Sequence, residues 1–235
     1  MHPSNPPNPQ LAIVVPVYNE EDCIIAVLGE WRKMLQATLE RFCFLVIDDG
    51  STDHTAERLG RLDWPELKVH RHANRGHGQS CLVGYQLAFE MGTDYVLQID
   101  SDGQCDPVGF PKLWELRDNA AAIYGRRVKR DDGVARQIIT VILRRLLKTL
   151  YRTKLNDTNV PFRLYRTSSA ASAASKIPKS FDLANIAVAL VLEPEGFIEI
   201  PIHFRDRLGG HPSVKWSGFA RKARRLIKDL QTLPR

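Results

Sequence analysis

The hydrophobic positions of this chain fall into short blocks that alternate between strand-like runs and helical spacing. Leu11–Val17 is a continuous apolar run and reads as a buried strand, with Pro16 marking its finish because it lacks a backbone donor. Ile24, Ile25, Val27, Leu28, Trp31, Met34 and Leu35 then recur at helical spacing. Asn19 is the expected N-cap of that helix, and Glu20, Glu21 and Asp22 suit its positive end. Phe42–Ile47 is a second buried strand, followed by a helix capped by Ser51 or Asp53, and Lys68–Arg71 a short third strand. A Gly-containing loop, His72–Ser80, leads into a helix predicted from Ser80 to about Met91. Tyr95, Val96, Leu97 and Ile99 form a fourth strand, and Ala121–Tyr124 a fifth. Phe181–Leu192 has a helical pattern, Ser168–Ser175 reads as helix surface, and Phe197–Phe204 alternates like a strand.

Strands alternating with helices indicate an α/β protein with a mostly parallel sheet. The turns that follow the strands are polar: Asn19, Asp48–Asp53, Asn74–Gly78 and Asp100–Asp102. In such sheets ligands bind beyond the carboxyl ends of the strands, so these turns would line one edge.

Composition narrows the class. A hydrophobic content of 43% with 26% charged residues suits one globular core in 235 residues. No apolar run approaches the ~20 residues that span a bilayer. The start, residues 1–10, is polar and Pro-rich with no apolar signal region, and reads as a disordered leader. Cys23, Cys43, Cys81 and Cys105 form no C-x-x-C pair and read as small core residues in a reducing, cytoplasmic setting. A net charge of +6 and a pI near 9.2 favour polyanions: phosphorylated substrates, anionic lipid or nucleic acid. The basic residues lie on amphipathic stretches with few interleaved aromatics, which argues against nucleic acid.

Asp100 and Asp102 close the fourth strand with one residue between them. Alternate residues of an extended chain point the same way, so both carboxylates can face one site. Two hard oxygen ligands there suit Mg²⁺ or Mn²⁺ sharing its remaining positions with water and substrate phosphates. Taken alone, the same pair also fits a solvated Asp-Gly turn.

Four strings in order resemble family-two glycosyltransferases of the GT-A fold, in the dolichol-phosphate mannosyltransferase-like, polyprenyl-phosphate branch: IVVPVYNEED (Ile13–Asp22), VIDDGSTDHT (Val46–Thr55), HANRGHGQS (His72–Ser80) and QIDSDGQCDP (Gln98–Pro107). The resemblance implies a Rossmann-like sheet over residues 11–216. It implies a nucleotide-sugar held by Pro16, Tyr18, Glu20, Asp49, Asn74, Asp100 and Ser101, and a metal at Asp100 and Asp102 with Gln104 nearby. Read as residues only, Glu20 is equally a helix-start carboxylate.

The second half carries the acceptor side. Gly125-Arg126-Arg127-Val128 is similar to the family's Gly-x-Arg-Tyr-Val turn, and Arg127 and Arg136 match arginines that hold phosphates in that branch. Guanidinium forks bind phosphate bidentately and stay charged. Asn156–Tyr165 resembles an Asp…Gly-Phe-Arg-Leu segment with Pro161 in place of the Gly, making Asp157 a candidate acid, base or orienting carboxylate. Arg163 is expected to pair internally with a carboxylate. Arg205–Trp216 resembles a loop that closes over the donor diphosphate, with Arg207, Ser213 and Lys215 as contacts and one extra residue before Ser213. Residues 137–155 and the C-terminal stretch 217–235 are amphipathic and basic. Such helices lie on an anionic bilayer surface or cover the sheet, and composition does not separate the two.

The expected activity is inverting, metal-dependent transfer of a sugar from a UDP- or GDP-sugar, with Asp102, Arg127, Arg136 and Asp157 at the reaction. A polyprenyl phosphate acceptor is already ionised near pH 7 and needs no general base. A saccharide or lipid hydroxyl needs one, with Asp157 or Asp182 in that role. The expected location is the inner face of a membrane, held peripherally, with room for a separate membrane-anchored partner.

Overall fold

Val, Ile, Leu and Phe runs with no polar interruption can be satisfied only between two covering layers. In the computed structural model, which describes residues 8–39, 41–127, 145, 147–157, 160–178, 181, 183–209 and 229–230, they become the centre of one sheet. The elements are β1 (Leu11–Val17), α1 (Ile24–Thr38), β2 (Phe42–Asp48), α2 (Thr55–Gly60), β3 (Leu67–Arg71), α3 (His77–Glu90) and β4 (Tyr95–Gln98). They continue with α4 (Phe110–Glu115), β5 (Ala122–Arg127), β6 (Arg163–Arg166), α5 (Thr167–Ser175), α6 (Ala184–Leu192) and β7 (Phe197–Ile202). The seven strands are ordered β3-β2-β1-β4-β6-β5-β7. All pairings are parallel except those of β6, which runs antiparallel to both β4 and β5.

Every residue of β1 is buried, as its unbroken apolar sequence requires. Trp31 of α1 is fully buried, edge-on to Phe110 and Phe162 at 6.2 and 5.5 Å. Truncating a ring buried in this way typically removes about 3–5 kcal/mol. On the sheet, α3 lies flush against β1: a Cβ at Gly84 would stand 2.3 Å from Val14 Cγ1, so only glycine fits. All four cysteines are free and buried.

Several local expectations change. Asn19 does not cap α1. Its N-cap is Cys23, which makes no side-chain cap bond. Asn19 instead sits at φ 54, donates its N–H to Ser51 Oγ (3.1 Å) and accepts from the Thr52 amide (2.8 Å), tying the turn after β1 to the turn after β2. Ser51 is therefore engaged away from α2, whose N-cap is His54, while Asp53 Oδ1 takes the Thr55 amide at 3.0 Å. α3 begins at His77, three residues before the predicted start at Ser80. The Ala/Ser-rich stretch is α5, and it is packed inward, with Ala170, Ala171 and Ala173 buried.

Of the basic amphipathic stretches, Leu147 and Leu155 are buried while Leu150 is exposed, and Tyr151 OH donates to the carbonyl of buried Leu230. The leader before residue 8 and most of 217–235 lie outside the described residues. No helix among the described residues is long and apolar enough to cross a membrane.

Candidate active site

Because β1, β2 and β4 run parallel, their following turns meet at one sheet edge. At the end of β4, Gly103 (φ 79) turns the chain and Asp102 Oδ1 accepts the Gln104 amide at 3.0 Å. Asp102 is buried. Desolvation, aided by neighbouring Asp100, lifts its pKa above the ordinary carboxylate value, against the pull of the Gln104 amide and Arg207. The segment after β7 closes over this turn. Leu208 N–H donates to the Asp102 carbonyl (3.0 Å), and its side chain lies so close that a Cβ at Gly103 would meet Leu208 Cδ1 at 2.5 Å.

Arg207 is the cation of the cluster. One terminal nitrogen faces Asp102 Oδ2 at 3.3 Å and the other pairs with Glu20 Oε1, while Nε donates to the Gly209 carbonyl at 2.6 Å. The Cys23 thiol donates to Glu20 Oε2 (3.2 Å) and the Ser101 carbonyl (3.4 Å). Burial first, and the Glu20 hydrogen bond second, push that thiol up to about 12. Glu20 is thus part of the cluster rather than only a helix-start carboxylate.

Asp100 Oδ1 receives His77 Nε2 at 2.9 Å and Gln98 Nε2 at 3.4 Å. No hydrogen bond among the described residues reaches its Oδ2. Among the described residues no three His, Cys, Asp or Glu side chains gather to enclose a metal. That donor set does not make a closed structural site. It does fit a hard divalent ion such as Mg²⁺ or Mn²⁺, which binds one or two carboxylates and fills the rest of its shell with water and substrate phosphates. Gln104 stands beside the pair, its amide on Asp102 and its carbonyl accepting from Arg205 N at 3.0 Å.

A second group lies along β1 and β2. Pro16 is in register with Ile47, and Tyr18 follows with 41% of its surface exposed. Asp49 is buried, and its two oxygens accept the amides of Arg75 (2.7 Å) and Gly76 (2.8 Å). Asn74 belongs to the same loop: at Gly50 (φ 74) a Cβ would meet its backbone N at 2.9 Å. Asp49 therefore shapes the loop that holds Asn74, a role its sequence position did not suggest.

A third group surrounds Arg127, at the end of β5. Its Nε lies 3.4 Å from Asp157 Oδ2, and its guanidinium stacks 5.0 Å above the Phe204 ring. Glu199 of β7 accepts from Asn156 N (2.9 Å), Asn156 Nδ2 (2.6 Å) and Asp157 N (3.2 Å), so it seats Asp157. The bridge between Cys105 and Phe204 joins this group to the Asp102 turn. Pro161 borders the same turn, its carbonyl 3.9 Å from Cys105 Sγ. Arg163 is away from these groups: it is fully buried and donates to Tyr165 OH (3.2 Å), the Asn185 carbonyl (2.6 Å) and the Val160 carbonyl. Arg136, Asp182, Ser213 and Lys215 lie outside the described residues.

Sequence reasoning missed Cys23, His77 and Glu199. His77 stands inside a string already singled out, between Gly76 and Gly78. Glu199 gave no signal beyond strand alternation.

A sheet of this order, with paired carboxylates following β4 and a polar carboxyl edge, has the GT-A fold. The chain belongs to glycosyl transferase family 2, which matches over residues 12–171. It is 28% identical over 232 residues to the undecaprenyl-phosphate 4-deoxy-4-formamido-L-arabinose transferase of Klebsiella pneumoniae (strain 342), covering 97% of this chain and 70% of that protein. This similarity fits the polyprenyl-phosphate branch. Among solved structures, glucosyl-3-phosphoglycerate synthase from Mycobacterium tuberculosis, in complex with phosphoglyceric acid, superposes with a TM-score of 0.68 at 17% identity, over 97% of this chain and 81% of that one. The same enzyme with Mn²⁺, UDP-glucose and phosphoglyceric acid gives a TM-score of 0.65 at 17% identity, over 97% and 81% of the two chains. At that identity the likeness is one of fold.

Proposed function

We propose that this glycosyltransferase moves a sugar, with inversion, from a UDP- or GDP-sugar onto the phosphate of a polyprenyl phosphate at the cytoplasmic face of a membrane. The observation that carries the acceptor assignment is the Arg127–Asp157 pair at 3.4 Å. A carboxylate facing a guanidinium is placed to orient that cation. A fixed arginine suits an acceptor that is anionic on arrival, and such an acceptor requires no base. The relative from Klebsiella pneumoniae, by its name an undecaprenyl-phosphate sugar transferase, supports the same acceptor class.

The remaining roles are those the family resemblance implies, and their chemistry suits the transfer. Pro16, Tyr18, Asp49 and Asn74 border the nucleoside. Glu20 and Ser101 border the donor beside the paired carboxylates. Arg207, with Ser213 and Lys215 from the same stretch of sequence, meets the diphosphate, where fixed positive charge stabilises the leaving group as negative charge develops. Asp100 and Asp102, with Gln104 beside them, would hold Mg²⁺ or Mn²⁺, whose chemistry there is neutralisation of the departing diphosphate. Arg127 and Arg136 hold the acceptor phosphate, which makes the transfer largely a matter of positioning. The basic stretches 137–155 and 217–235 would rest on anionic lipid, with a separate membrane-anchored partner as a further contact.

The test is transfer from radiolabelled UDP- and GDP-sugars to undecaprenyl phosphate and, separately, to undecaprenol. Labelled product with the phosphate alone is expected. Product with the alcohol alone would overturn the acceptor assignment and give Asp157 or Asp182 the role of base.

A further inference from the structure

We infer that His77 is a positioning residue for the cation site, fixing the Asp100 carboxylate so that one oxygen is tied to protein and the other faces the ion. This rests on the metal site of the proposed function.

Both ends of the lever are fixed. Behind His77, the backbone of Arg75 and Gly76 is held by the two oxygens of Asp49, and Gly76 turns the chain at φ 92, a conformation open to glycine. Ahead of it, α3 cannot shift away from or along β1 freely, because Gly84 sits directly on Val14. The Cα of His77 is therefore set by the sheet, not by its own exposed surroundings.

The ring is oriented too. Its Nδ1 lies 3.8 Å from Cys81 Sγ, one helical turn on, and Nε2 lies 2.9 Å from Asp100 Oδ1. With a proton on Nε2 the ring donates to the Asp100 carboxylate, and the Cys81 thiol stands beside the other ring nitrogen. Gln98 adds a weaker contact to the same oxygen at 3.4 Å, and is itself held by Tyr85 OH at 3.1 Å. Both protein donors thus converge on Oδ1, and Oδ2 takes no hydrogen bond among the described residues. A ligating carboxylate is normally hydrogen-bonded through its outer oxygen in just this way, and loss of that partner lowers metal affinity by about 10–100-fold.

The arrangement has a second consequence. Asp49 stands at the end of β2, on the nucleoside edge, and Asp100 at the end of β4, on the cation edge. The path Asp49, Gly76, His77, Asp100 joins them through one short loop.

The experiment measures Mn²⁺ affinity by electron paramagnetic resonance in the presence of UDP, on the full chain carrying His77, His77→Ala or His77→Gln. Glutamine places an amide N–H near the position of Nε2 without an imidazole. The expected result is a loss of about 10–100-fold for His77→Ala, recovery of most of it in His77→Gln, and unchanged thermal midpoints. Mn²⁺ binding by His77→Ala as tight as wild type or tighter, or no recovery with Gln, overturns the inference while leaving the metal site standing. Absence of Mn²⁺ binding by the wild-type chain removes the metal site itself, and the inference with it.

Discussion

Arg207 lies 3.3 Å from Asp102 and pairs at the same time with Glu20, so one guanidinium joins the turn after β4 to the turn after β1. Both carboxylates are nearly closed to solvent, with side-chain exposures of 8% for Glu20 and 10% for Asp102, and without a cation between them they would repel. Arg207 thus neutralises the cluster that an incoming metal cation would otherwise neutralise.

Replacing it separates two effects. Arg207→Ala should raise Mn²⁺ affinity in the absence of nucleotide about fivefold, the equivalent of the ~1 kcal/mol that a partly exposed pair contributes. The same variant should lose about 10²–10³ in turnover, because a donor facing the leaving diphosphate is gone. Titration of Mn²⁺ without nucleotide, alongside an activity assay, reads both. Unchanged or weaker Mn²⁺ binding would show that Arg207 does not compete for the site.

Glu199 offers a test confined to the acceptor side. It takes three hydrogen bonds from Asn156 and Asp157, and through Asp157 it supports Arg127. Glu199→Ala should raise the KM for acceptor about tenfold, the scale of one charge-assisted hydrogen bond, with donor affinity unaltered. Equal loss of donor and acceptor binding would mean that β7 supports the site as a whole.

The cysteines give a prediction with pH. Burial drives the Cys43 thiol up to about 12, and burial with the Glu20 hydrogen bond does the same for Cys23. At pH 8 both remain protonated, and all four thiols are covered, so an aromatic disulfide reagent should titrate none in the native protein and four after unfolding. The linkage has a definite sign. Between pH 9 and about 12 the unfolded chain has given up protons that folded Cys23 and Cys43 keep, so stability falls as pH rises through that window. Chemical denaturation at pH 8 and pH 10 measures it; greater stability at pH 10 would contradict the burial of these groups.

The central sheet could be read from sequence because a strand covered on both faces has no polar positions, as in Leu11–Val17 and Phe42–Ile47. β6 could not. Its sequence is Arg-Leu-Tyr-Arg, and the arginine at 163 is an interior residue that carbonyls of Val160 and Asn185 and the Tyr165 hydroxyl meet there. The start of α3 was hidden because Gly76, His77 and Gly78 read as loop; Asp49, from the turn after β2, holds the amides of Arg75 and Gly76 just before the helix begins. At the site, Asp49, Asp100 and Asp102 declared themselves by closing apolar strands with carboxylates. Glu199 could not, since its partner Asn156 is 43 residues away and nothing local to β7 requires a carboxylate. Asn19 misled for a related reason: it is as suitable for a left-handed turn as for a cap, and contacts with Ser51 and Thr52 decide for the turn.

The measurement that bears most directly on the account is calorimetric titration of UDP- and GDP-sugars into the full chain, with and without Mn²⁺, for wild type and Asp102→Ala. Metal-dependent binding of one donor to wild type, absent in the variant, is the predicted result, and it would also identify the base. Failure of every donor to bind wild type with the metal present would contradict a nucleotide-sugar site at Asp100 and Asp102.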